Sequence, residues 1–151
     1  MRTLLTLLVA LAFTVGLRAD PMDDVKRLLD EPVELRFSYP PTSQPKQIDE
    51  RVSQATGVKE VRFGKVKLSA SEFFRLMSTT QGRTPAQTNT LADLAVRNGP
   101  LLKSKLMPAL KAAKLTSAAA DLDEAFKLVE ASKSLDRAAQ DRFARLAKVA
   151  Q

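Results

Sequence analysis

The chain has 151 residues, a formal net charge of +7 from 24 Lys and Arg against 17 Asp and Glu, and neither cysteine nor histidine. Those two absences exclude Ser-His-Asp and Cys-His nucleophiles, thiol redox chemistry, and any zinc, haem or iron–sulfur centre ligated by His or Cys of this chain. With no Trp, one Tyr and seven Phe, the core is expected to be chiefly Leu, Val, Ala and Phe, unsupported by disulfides.

Residues 1–19, MRTLLTLLVALAFTVGLRA, have the three parts of a secretory signal peptide. Arg2 supplies the positive start, Leu4 to Val15 form an apolar run broken only by Thr6 and Thr14, and Gly16 to Ala19 end on a small residue. A membrane-spanning helix needs roughly 20 apolar residues, more than this run offers before Arg18. Cleavage before Asp20 is therefore expected, with export to the periplasm or the extracellular space. The absence of Cys after the leader argues against a lipid anchor. Removing the leader takes away Arg2 and Arg18 and leaves a net charge near +5.

The segment 20–151 reads as one α+β domain, with a mixed helix and strand part over 20–68 and a helical part over 69–151. Asp20-Pro21 places a capping residue before a proline at the first helical position, and the helix ends before Pro32. Val33, Leu35, Phe37 and Tyr39 alternate with Glu34, Arg36 and Ser38, the pattern of a half-buried strand. PPTSQPKQ (40–47) reads as a loop, and Ile48, Val52 and Ala55 as a two-turn helix stopped by Gly57. In VKEVRFGKVKL (58–68) the apolar alternation changes phase at Gly64, which predicts a bulge or tight turn there.

From residue 69 the pattern is helical throughout. Ser69 with Glu72 forms a capping box flanked by Leu68 and Phe73 as a hydrophobic staple. Thr84-Pro85-Ala86-Gln87 repeats the capping signal and opens a helix that Asn98-Gly99 is expected to stop. Leu122, Phe126 and Val129 mark a further helix. Leu135, Ala139, Phe143 and Leu146 mark the last, with Ser134 expected as its cap and Asp141–Arg145 as an exposed i,i+4 pair. The fold class is accordingly α+β and predominantly α: a small two- or three-stranded antiparallel β element packed by four to five short C-terminal helices.

LADLAVRNGPLLKSKLMPALKAAKL (91–115) has the outline of a helix-turn-helix, with a kink or a second break expected at Pro108. Arg97, Lys103, Lys105, Lys111 and Lys114 fall in this stretch with no acid between them. On a helical wheel Leu102, Leu106, Ala109, Leu110 and Ala113 share one face. Lys103, Lys111 and Lys114 form a ridge on the other, alongside Met107. A lysine ridge suits attraction to phosphate or another anionic surface better than base reading, which favours Arg, Asn and Gln. The basic strand residues Arg62, Lys65 and Lys67 lack the aromatic partners that a nucleic-acid stacking platform needs. The densest carboxylates, Asp121, Asp123 and Glu124, are expected in the first turn of a helix, complementing its dipole. Ser-Lys chemistry would draw on neighbours such as Ser104 with Lys103 or Lys105.

These readings point to an exported bacterial-envelope protein that is a non-enzymatic binding or assembly partner. Its expected partner is another protein or an anionic envelope component, with peripheral membrane contact through Arg97, Lys103, Lys105, Lys111 and Lys114. No catalytic, cofactor-binding or metal-binding residue is assigned, and no cofactor is expected. A cytoplasmic, DNA-associated helix-turn-helix protein is the alternative if residues 1–19 are not a leader.

Overall fold

The computed structural model describes residues 20–36, 61–62 and 65–149. The leader, the loop 40–47, the helix expected over 48–57, Phe37, Tyr39, Phe63 and Gly64 lie outside the described residues. Within them the order is α1 (Pro21–Asp30), β1 (Pro32–Arg36), β2 (Val61–Arg62), β3 (Lys65–Ser69), α2 (Ala70–Met77), α3 (Pro85–Ala112), α4 (Thr116–Ser132) and α5 (Arg137–Lys148). The fold is therefore α+β and predominantly α, as its sequence pattern implies.

The strands form one antiparallel sheet in the order β1-β3-β2. Val33 stands opposite Leu68 and Glu34 opposite Lys67. Val33, Leu35 and Leu68 are buried while Glu34 and Lys67 face outward, so the period-2 alternation sorts the two faces. β2 and β3 pair on either side of the position where that alternation changes phase.

Three of the helix starts are built as the local sequence dictates. The Asp20 carboxylate accepts from the Met22 N–H (3.0 Å) ahead of Pro21. Ser69 Oγ accepts from the Glu72 N–H (3.1 Å) while the Glu72 carboxylate accepts from the Ser69 N–H (2.9 Å). Thr84 and Gln87 exchange the same two bonds. Each box satisfies two backbone donors that a helix start otherwise leaves open.

One cluster of buried residues joins α1, β1, β3 and the four later helices. At its centre are four rings. Phe143 of α5 meets Phe126 of α4 edge-on at 5.4 Å, and Phe74 and Phe73 of α2 at 6.1 and 6.4 Å. Phe73 also stacks near Phe126 at 6.2 Å. α5 thus packs on both α2 and α4, α4 on α3, and α1 across α2 and α3.

The fold departs from the local sequence pattern in three places. First, Asn98-Gly99 does not stop a helix, and Pro108 does not break one: α3 runs unbroken for 28 residues with Pro100 and Pro108 inside it. Each proline removes one backbone hydrogen bond and costs about 3 kcal/mol. Leu91, Leu94, Leu102, Leu106 and Leu110 are buried on both sides of the prolines, each stabilising the helix by about 2 kcal/mol, so packing outweighs the two losses. Asn98 is itself buried and donates Nδ2 to the Leu94 carbonyl (2.8 Å), inside the helix rather than at its end.

Gly99 has a packing role. A Cβ added there would lie 2.8 Å from Phe126 Cδ1 and 3.1 Å from Cγ. Alanine would improve helix propensity by about 1 kcal/mol but would force an already packed ring to move, at about 1–3 kcal/mol. Gly99→Ala is expected to lower stability by about 1 kcal/mol, read from the urea midpoint; a stabilised variant would show that Phe126 does not pin this crossing.

Second, the last helix is capped by Asp136, whose carboxylate accepts from the Ala139 N–H (2.8 Å). Ser134 instead belongs to the preceding turn, bonded to Ser132. Third, Asp141 pairs with Arg137 (3.1 Å) rather than with Arg145, because Arg145 turns inward to Asp121.

Candidate functional site

The basic stretch of the sequence becomes the second half of α3. Burial of Leu102, Leu106 and Leu110 fixes which way that half faces, leaving Ala109 and Ala113 half-buried. Arg97, Leu101, Ser104, Pro108 and Lys111 recur at helical spacing, and all five are exposed. Leu101 is the large apolar side chain most open to solvent among the described residues, at 39%. The outward strip of α3 is therefore basic at both ends, with Leu101, Ser104 and Pro108 between.

Of the ridge expected from Lys103, Lys111 and Lys114, Lys103 is engaged by a neighbouring helix. Lys103 leans toward α4, where its ammonium lies 3.3 Å from Asp123, a carboxylate shared with Lys127 at 2.6 Å. Hydrogen bonding from Lys127 first, then from Lys103, holds the Asp123 carboxyl below the usual carboxylate range, and the same contact raises Lys127. Lys103 is thus an interhelix tie. Lys105 lines a groove between α3 and α1. Lys111 lies in the last turn of α3, and Lys114 lies just beyond it with φ 58°.

That last turn explains the position of Lys114. Its N–H donates to the Lys111 carbonyl (3.0 Å) and the Leu115 N–H to the Leu110 carbonyl (2.9 Å). The two bonds make a Schellman stop, with lysine in the left-handed position that glycine usually fills. Lys111 and Lys114 consequently stand at the negative end of a 28-residue helix, where positive charge is favoured.

Between α1 and α3 lies an open groove of about 600 Å³. Pro21 and Leu28 line it from α1, and Pro108, Ala109 and Ala112 from α3. Arg27, Asp24 and Lys105 supply its polar groups. Arg27 and Asp24 approach to 3.7 Å, but both remain more than half exposed. A pair so open contributes little to stability.

The carboxylates expected in a first helical turn are in the interior of α4, which starts at Thr116. Asp121 is 7% exposed and takes three bonds from α5: Arg145 Nε (2.7 Å), Arg145 Nη2 (2.7 Å) and Arg142 Nη1 (3.0 Å). The Arg145 hydrogen bonds, opposed by burial, hold its carboxyl below the ordinary range, with Arg142 adding to the effect. No signal along the chain announces this cluster, since its members lie 21 and 24 residues apart.

Other candidates are dispersed. Ser104 Oγ donates to the Leu101 carbonyl (2.8 Å) while Lys103 is engaged with Asp123, so the Ser-Lys neighbours point apart on the helix. Among the described residues no three His, Cys, Asp or Glu side chains are grouped to hold a metal ion, and no helix is long and apolar enough to cross a membrane. The helix-turn-helix outline of 91–115 does not form, because its expected turn at Asn98-Gly99 lies inside α3.

Fold and surface together define a small helical α+β protein with a basic, partly apolar helix face and an adjoining groove. Comparison with known protein families, with curated proteins and with solved structures gives no match.

Proposed function

We propose that the protein is an exported, non-enzymatic binding partner that meets an anionic envelope surface through the outer face of α3. The observation that carries the reading is the placement of Lys105, Lys111 and Lys114 around exposed Leu101 and Pro108 on one helix with no acid of its own between Arg97 and Lys114. Cations draw a negatively charged surface from a Debye length away, about 8 Å at physiological salt. The exposed apolar side chains of Leu101 and Pro108 between them add contact once the surface is reached. Lys103 takes no part, since Asp123 holds it. Export rests on the leader pattern of residues 1–19. Cleavage before Asp20 would leave every described element intact, with Asp20 still capping α1.

The test is sedimentation with vesicles containing anionic phospholipid. Each lysine near such a surface contributes about 1 kcal/mol, so replacing Lys105, Lys111 and Lys114 by Gln is expected to weaken binding about a hundredfold. Glutamine is chosen to avoid setting an acid against the helix terminus. Wild-type protein that ignores anionic vesicles even at low salt, or a triple variant that binds unchanged, overturns the reading.

A further inference from the structure

The groove between α1 and α3 adjoins the outer strip along one edge and shares Lys105 and Pro108 with it. Its volume, about 600 Å³, falls within the range of small-molecule sites, which are mostly apolar with a few placed polar groups. Its floor has that character: Leu28, Pro108 and Ala112 present only carbon side chains. Its polar groups are two cations from different helices, Arg27 and Lys105, and one carboxylate, Asp24. The local balance is one positive charge. Asp24 is too exposed and, at 3.7 Å from Arg27, too distant to satisfy that guanidinium.

We infer that this groove binds a single-chain amphiphile with a monoanionic head group, its tail along Leu28, Pro108 and Ala112 and its head between Arg27 and Lys105. The complementarity is of two kinds at once. The surplus positive charge matches one negative head group, and the guanidinium fork matches the two oxygens of a carboxylate. The carbon-lined floor matches a hydrocarbon tail. The inference adds a discrete ligand site to the proposed surface contact and stands without it.

The experiment is calorimetric titration of the full chain with dodecanoate below its micellar concentration. Saturable single-site binding is expected. Acetate, which lacks the tail, and dodecyltrimethylammonium, which reverses the head-group charge, should not bind at up to about 1 mM. Ala112→Phe, at an exposed position where it fills the groove without touching the core, should weaken dodecanoate about tenfold or more. The Arg27→Gln, Lys105→Gln pair should do likewise. Asp24→Asn should strengthen binding severalfold by removing the competing carboxylate. Lys111→Gln with Lys114→Gln should leave dodecanoate unchanged while weakening vesicle binding, which separates this site from the surface contact. The inference is overturned if dodecanoate does not saturate, if acetate or the cationic amphiphile binds equally well, or if Ala112→Phe has no effect. Self-association of the chain through the groove that excludes dodecanoate also overturns it.

Discussion

Replacing Phe143 by alanine is expected to remove about 4 kcal/mol of folding free energy, the largest single loss expected in this chain. Phe143 is fully buried and is the ring through which α5 touches both α2 and α4. Truncation forfeits its apolar burial and three ring contacts, each worth about 0.5–1.5 kcal/mol beyond area. It also opens a cavity lined by the three remaining rings, which are anchored in other helices and cannot all collapse into it. Urea denaturation followed by circular dichroism measures the loss. Leu101→Ala, on the exposed strip, is the internal control and should stay within about 0.5 kcal/mol of wild type. A Phe143→Ala variant that loses less than about 1 kcal/mol would show that α5 is held by something other than the aromatic cluster.

Asp121→Asn is expected to cost about 2 kcal/mol. Breaking a fully buried ion pair typically costs about 3–5 kcal/mol because a charge is left stranded. Here Arg142 and Arg145 are one-third to one-half exposed and regain water, so the loss is smaller. The pH dependence tests the same contact. The folded pKa of Asp121 is depressed, by Arg145 first, so the unfolded chain takes up its proton sooner as the medium is acidified. The stabilisation is therefore complete above the ordinary carboxylate value of about 3.9 and is lost as pH falls through the lower folded value. Wild-type stability should decline from about pH 4 downward. Asp121→Asn should decline less steeply, keeping only the acid sensitivity of groups such as Asp123, whose pKa is also lowered. Identical acid profiles for the two proteins would contradict this account of the α4–α5 contact.

What could be read from the chain, and what could not, follows the range of the forces involved. The caps at Asp20, Ser69–Glu72 and Thr84–Gln87 are hydrogen bonds spanning two or three residues, so adjacent residues suffice to predict them. The apolar period likewise marks Leu122, Phe126, Val129, Ala139, Phe143 and Leu146, all buried. Asn98-Gly99 misleads because its local preference is for a helix stop. The glycine is required instead by Phe126, 27 residues further on and pressed against it. The prolines mislead for a related reason, since a local penalty is outweighed by leucines buried against elements distant in sequence. Arg145 is drawn away from Asp141 by Asp121 in another helix. The same holds at the candidate site. The five cations could be named from the chain, but Asp123 takes Lys103 out of the ridge, and α1, by packing on α3, creates the groove that no motif marks.

The contact surface itself can be observed directly by following backbone amide resonances while the protein is titrated with bicelles, anionic in one series and zwitterionic in the other. The account predicts that perturbations in the anionic series cluster from Arg97 to Lys114, centred on Leu101, Lys105 and Lys111. They should fade as salt rises and be absent from the zwitterionic series. Perturbations centred on α5 or the sheet, or equal in both series, would contradict it.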